Sequence, residues 1–157
     1  MNIQLQPSTI LQWRALVLDA KTQTGHSIDE NLECYLVITL NEFTRECQLA
    51  SRVVALEYLK ALEYERNKGT KVLRHLGDHC LIISGLYPDH AKRKNVSLDY
   101  YIGMGRQAYN YIATTPTPEQ FDANLFFRLS HHFTKLMEIL QAMRNLNLSN
   151  TTREFFH

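Results

Sequence analysis

Apolar residues recur at steps of three and four along most of the chain, and the four prolines, at positions 7, 88, 116 and 118, fall between these periodic segments. Such spacing predicts helices punctuated by proline. The first spans about 9–21, with Trp13, Leu16 and Val17 on its inner face and Gly25 as a left-handed stop. Ser27 and Glu30 have the spacing of a capping box, so a second helix should start there and bury Leu32, Leu36, Leu40, Phe43 and Cys47. A third, about 49–67, turns Val53, Leu56 and Leu59 inward and Glu57, Lys60, Glu63 and Arg66 outward, and Gly69 stops it.

The fourth helix, about 71–86, confines Arg74, Asp78 and Gly85 to one narrow polar arc, so most of its circumference should be covered. Pro88 ends it. Ser97 caps a fifth helix with Tyr101, Met104 or Gly105, Ala108 and Ile112 inside, and Asp99, Gly103, Arg106 and Asn110 outside. Thr117, Pro118 and Gln120 then open one long final helix, about 118–146, which packs through Leu125, Leu129, Phe133, Leu136, Leu140 and Met143. No stretch alternates in the manner of a strand. The pattern therefore predicts an all-α chain: one domain over 1–157, fraying at its ends, folded as an antiparallel bundle of about six helices around the fourth.

Composition narrows the possible roles. At 45% hydrophobic and 21% charged residues, 157 residues can bury a sizeable core without staples. A net charge of +1 disfavours nucleic acid as a partner. No basic leader followed by an apolar run is seen and no segment is long enough to cross a bilayer, so a cytoplasmic protein away from membranes is expected. Cys34, Cys47 and Cys80 are odd in number and fit no disulfide or metal-knuckle spacing, so they read as small buried groups in a reducing compartment.

Candidate chemistry gathers between Leu73 and Ala113, which hold four of the six glycines, three of the seven histidines and five of the eight tyrosines. His75 and His79, four apart, could converge on a metal from one helix face with Asp78 nearby, but a pair is not a site and packed histidines are the ordinary alternative. His26 and Glu30 would complete a di-iron pattern of i, i+4 pairs, except that a cap at Ser27 leaves His26 outside the helix. Of the adjacent His131 and His132, the second shares the apolar stripe and is the better candidate for burial. Gly103 and Gly105 each cost a helix about 1 kcal/mol relative to alanine. Close helix contact accounts for Gly105, perched on the inner stripe, and accounts less well for Gly103 among polar neighbours. His90, Lys92, Arg93 and Lys94 form a basic run of the kind that solvated loops carry, with anion binding as the alternative. Cys80 and Ser84 lie in an apolar helix, without the glycine-framed turn that would expose a nucleophile.

The segment LGDHCLIISGLYP (76–88) and the segment VSLDYYIGMGRQAY (96–109) together resemble a family of uncharacterised, mostly proteobacterial cytosolic proteins. The matching positions are Gly77, Asp78, Gly85, Pro88, Tyr100, Tyr101, Gly103, Gly105 and Tyr109, with a fainter likeness around 35–43. This resemblance implies a helical fold and brings no activity with it. The leading expectation is a non-enzymatic helical protein that binds another protein, or a second copy of itself, through Asp99, Tyr100, Gly103, Arg106 and Tyr109. No catalytic residue, resident metal or cofactor is assigned. The alternatives are a bundle, or an enzyme, that binds a metal or small ligand through His75, Asp78 and His79, and an anion or nucleotide binder using residues 90–94 with Arg106.

Overall fold

The computed structural model describes residues 7–45, 66–89, 97–115 and 122–148. Among them are six helices and no strand: α1 (Pro7–Thr24), α2 (Glu30–Arg45), α3 (Arg66–Leu86), α4 (Leu98–Thr114), α5 (Ala123–His131) and α6 (Phe133–Leu148). The helices pack on one another as an all-α bundle. α3 lies at its centre, packed most extensively against α4 and α6, and every residue from Leu76 to Leu86 is buried. α1 packs on α2 and α6, while α5 lies along α4.

Local chemistry sets the helix ends. Gly25 adopts φ 72° and its N–H donates to Lys21 O at 2.9 Å, satisfying a terminal carbonyl of α1 in a conformation that only glycine reaches without strain. Ser97 caps α4 as the sequence predicts, its Oγ accepting from Tyr100 N. The start of α2 differs from the expected Ser27 box. Asp29 is the cap, its Oδ1 accepting from Leu32 N at 2.9 Å, and the helix begins at Glu30. A carboxylate at this position also answers the positive end of the helix dipole, which a serine does less well.

Three further expectations are corrected. Gly69 does not stop a helix, because it sits inside the first turn of α3. The long final helix starts at Ala123 behind an Asp122 cap and breaks at His132, whose backbone (φ −104°, ψ 19°) leaves the helical region and whose N–H turns back to Arg128 O and Ser130 O. The break separates α5, directed at α4, from α6, directed at α3 and α1. Cys34 is exposed, since it falls on the outer side of α2, while Cys80 is buried as expected. Of the expected helix at 49–67 only Arg66 and Asn67 are described, and they open α3 instead; the rest of it, Cys47, the basic run at 90–94, and Thr117, Pro118 and Gln120 lie outside the described residues.

Buried glycines determine how closely α3 is approached. A Cβ on Gly77 would lie 2.5 Å from the Tyr109 ring, one on Gly85 2.5 Å from Leu140 Cβ, and one on Gly105 2.6 Å from the Phe133 ring and 2.8 Å from Cys80 Cβ. The aromatic rings of α4 and α6 thus occupy the space that side chains would fill. Gly77→Ala and Gly105→Ala should each lower stability by about 1–3 kcal/mol in chemical denaturation, despite the better helix propensity of alanine.

Candidate functional site

The buried polar centre of the bundle is Asp78. Desolvating a carboxylate is costly unless donors compensate it, and here the Tyr35 hydroxyl donates to Oδ1 at 2.6 Å while the Tyr109 hydroxyl donates to the same oxygen at 2.7 Å. The three residues come from α2, α3 and α4, so one carboxylate oxygen ties three helices together. Aromatic edges enclose it. Tyr35 meets Tyr109 and Phe126 edge-on, with ring centres 6.4 and 5.9 Å away, and Phe133 lies 6.0 Å from Tyr109.

Burial governs the protonation of this cluster. It pushes the Asp78 carboxyl above its ordinary range, against the opposing pull of the two phenol donors and of Arg74 and His75. Burial, together with the Asp78 carboxylate, also raises both phenols well above the usual tyrosine range. The phenols therefore stay protonated and keep donating. The arrangement suits a fixed hydrogen-bonded junction, because the tyrosines are too weakly acidic to pass on a proton near neutral pH.

Other carboxylates bind the bundle's flanks. Glu33 is buried on α2 and receives Lys21 Nζ at 3.0 Å and Arg14 at 3.6 Å from α1. Asp29 pairs with Arg128 of α5, and its carboxyl is held below the ordinary range by the Leu32 N–H and then by Arg128. His26 Nε2 lies 2.6 Å from Glu138 Oε1. It precedes α2 and turns toward α6, so it has no place beside Glu30 in a metal pair.

Of the three proposed ligands, His75 is exposed while Asp78 and His79 are buried, and Asp78 is engaged by the phenols. Among the described residues, no three His, Cys, Asp or Glu side chains converge as a metal site would require. His132 is only partly buried, with its imidazole pulled below the ordinary range by desolvation and the nearby Lys135, and His131 is exposed and stacked on Phe127 at 5.4 Å.

The expected interaction face divides. Asp99 and Arg106 are exposed, and Tyr100 and Gly103 are partly so. Tyr109 is not on it: that residue is fully buried, because its hydroxyl belongs to Asp78 and its ring fills the space beside Gly77. Arg106 is fastened to α5, its Nε donating to Ser130 O at 3.2 Å while Ser130 Oγ donates to Arg106 O at 3.0 Å. A Cβ placed on Gly103 meets nothing within 4 Å. Sequence reasoning missed Tyr35 and Glu33 as members of these clusters. The available signal was the need of a buried Asp78 for donors, which would have directed attention to tyrosines on other helices.

Compared with family models, curated proteins and solved structures, the chain matches none.

Two outcomes check the Asp78 junction. Tyr109→Phe removes one donor from a buried carboxylate and should cost about 1–3 kcal/mol in denaturant unfolding. Because the folded-state pKa of Asp78 is raised, its favourable contribution is complete below the unfolded value and is lost as pH rises through the folded one. The difference in melting temperature between Asp78→Asn and the wild type should therefore move in favour of the variant as pH rises from acid toward neutral. A difference independent of pH would show that Asp78 does not titrate on unfolding.

Proposed function

We propose that this protein is a non-enzymatic helical interaction protein that receives another protein on the outer face of α4, around Asp99, Tyr100, Gly103 and Arg106. The observation that carries this reading is Gly103. A glycine inside a helix costs about 1 kcal/mol relative to alanine. Gly77, Gly85 and Gly105 are each required by a close internal neighbour, whereas the space beside Gly103 is open. Helix stability given up where no internal contact demands it is expected at a functional position, where another backbone comes close.

The chemistry around Gly103 suits a protein partner. Asp99 and Arg106 offer both signs of charge on either side, and the Tyr100 ring, packed edge-on against Tyr101 at 5.7 Å, is a rigid amphipathic platform. Of the buried carboxylates that could have supported catalysis or metal binding, Asp78 is engaged by two phenols and Glu33 by Lys21. No helix among the described residues is long and apolar enough to cross a membrane. Cys34 and Cys80 are thiols outside any disulfide, which suits a reducing, cytoplasmic setting.

Gly103→Ala should raise stability by about 0.5–1 kcal/mol, the opposite sign to the buried glycines. Gly103→Gln should remain folded and lose partners in a quantitative pulldown from the native cell, while Asn124→Gln on the exposed face of α5 keeps them. Retention of every partner by folded Gly103→Gln and Tyr100→Ala would remove this face from consideration.

A further inference from the structure

We infer that the outer face of α1 is a docking strip for a second copy of this chain, joined in parallel. α1 is apolar on two opposite sides. Trp13, Val17 and Ala20 are buried against the bundle, whereas Leu11, Ala15, Leu18 and Thr22 lie on the far side and are all exposed, Leu11 at 64% and Leu18 at 39%. Their steps of four, three and four are those of a two-stranded coiled-coil seam, with Leu11 and Leu18 at the d positions and Ala15 and Thr22 at the a positions. A β-branched residue at a, as at Thr22, with leucine at d favours a two-helix contact.

The flanking charges select both the partner and its direction. In this register Arg14 is the g residue of one heptad and Asp19 the e residue of the next, and both are exposed. A parallel copy places Arg14 of each chain beside Asp19 of the other, giving two symmetry-related ion pairs. An antiparallel copy would set g against g and e against e, bringing Arg14 and Lys21 toward their own counterparts and Asp19 toward Asp19. The Arg14 side chain, 48% exposed and 3.6 Å from Glu33, remains accessible from outside while anchored to α2. A strip of this length lies at the small end of protein interfaces, so the dimer is weak and depends on concentration. The inference stands on α1 alone and is independent of the reading of α4.

Sedimentation equilibrium of the full chain over a wide concentration range provides the test, with melting temperature confirming that each variant is folded. The wild type should move from monomer toward dimer, and Leu18→Glu should weaken this by at least about tenfold, since each dimer buries two copies of that leucine. Asp19→Arg and Arg14→Glu should each fail to self-associate, yet a mixture of the two should form a heterodimer, because both ion pairs then recover opposite signs. Leu11→Cys in a Cys34→Ser background should cross-link to itself across the axis. A wild type that remains monomeric at the highest concentration overturns the inference, as does a dimer unaffected by Leu18→Glu. Failure of the mixed variants to associate while the wild type does, or cross-linking of position 11 to a cysteine at position 18 and not to itself, overturns the parallel arrangement. Should Arg14→Glu fail to fold beside Glu33, Leu18→Glu, Asp19→Arg and the position 11 cross-link decide the matter alone.

Discussion

A carboxylate inside a helical bundle must either find donors or surrender its charge, and the centre of this fold is arranged around that constraint. Asp78 stands on the helix that its neighbours cover most completely, and both phenols reach the same oxygen. Each phenol comes from a different helix, so α2, α3 and α4 can satisfy the carboxylate only at one relative height and rotation. Apolar packing alone tolerates sliding by a fraction of a turn more readily than a hydrogen bond of 2.6 Å does. The junction therefore fixes register at a place where burying a charged group is otherwise a liability.

The glycines and aromatics of the central helices work with this junction. Tyr109 can bring its hydroxyl to Asp78 because Gly77, the preceding residue of α3, leaves space for the ring. Phe133 reaches past α4 to the Cys80 level because Gly105 has no side chain, and Leu140 lies against Gly85 in the same way. Gly77, Asp78, Gly85, Gly105 and Tyr109, which fall in two separate segments of sequence, act as one packing unit with α6. In such a unit the loss of any one side chain-free position is felt by a neighbouring ring, since protein interiors leave few voids to absorb an added methyl group.

Around this centre the charges act as ties between helices. Glu33 draws α1 onto α2 through Lys21 and Arg14, Asp29 joins the start of α2 to α5 through Arg128, and His26 joins the turn after α1 to α6 through Glu138. These pairs leave much of the outer face of α1 with apolar rather than charged side chains, and leave Gly103 open on α4. Isolated exposed apolar residues are common on any protein, and Ile38, Tyr111 and Phe127 need no special account. The regular spacing on α1 is different from such scattered residues, and the glycine on α4 gives up helix stability that no internal contact recovers.

Periodicity alone determined the class of fold, the inner faces of α1, α2 and α4, and the envelopment of α3, because a step of three to four residues has one geometric meaning wherever a helix is covered on one side. It also located Gly25 as a terminator and Ser97 as a cap, whose reasons lie within a few residues of backbone. The break at His132 was invisible in that pattern: Leu129 and Phe133 are four apart whether or not the helix is interrupted between them. Tyr35 as the partner of Asp78, and Tyr109 as a core residue in place of a surface one, were equally hidden, since a hydrogen bond between residues 43 and 31 positions apart leaves no local trace. The same holds for the glycines, which read alike in sequence; only the packing of neighbouring helices decides that three of them are crowded and Gly103 is free.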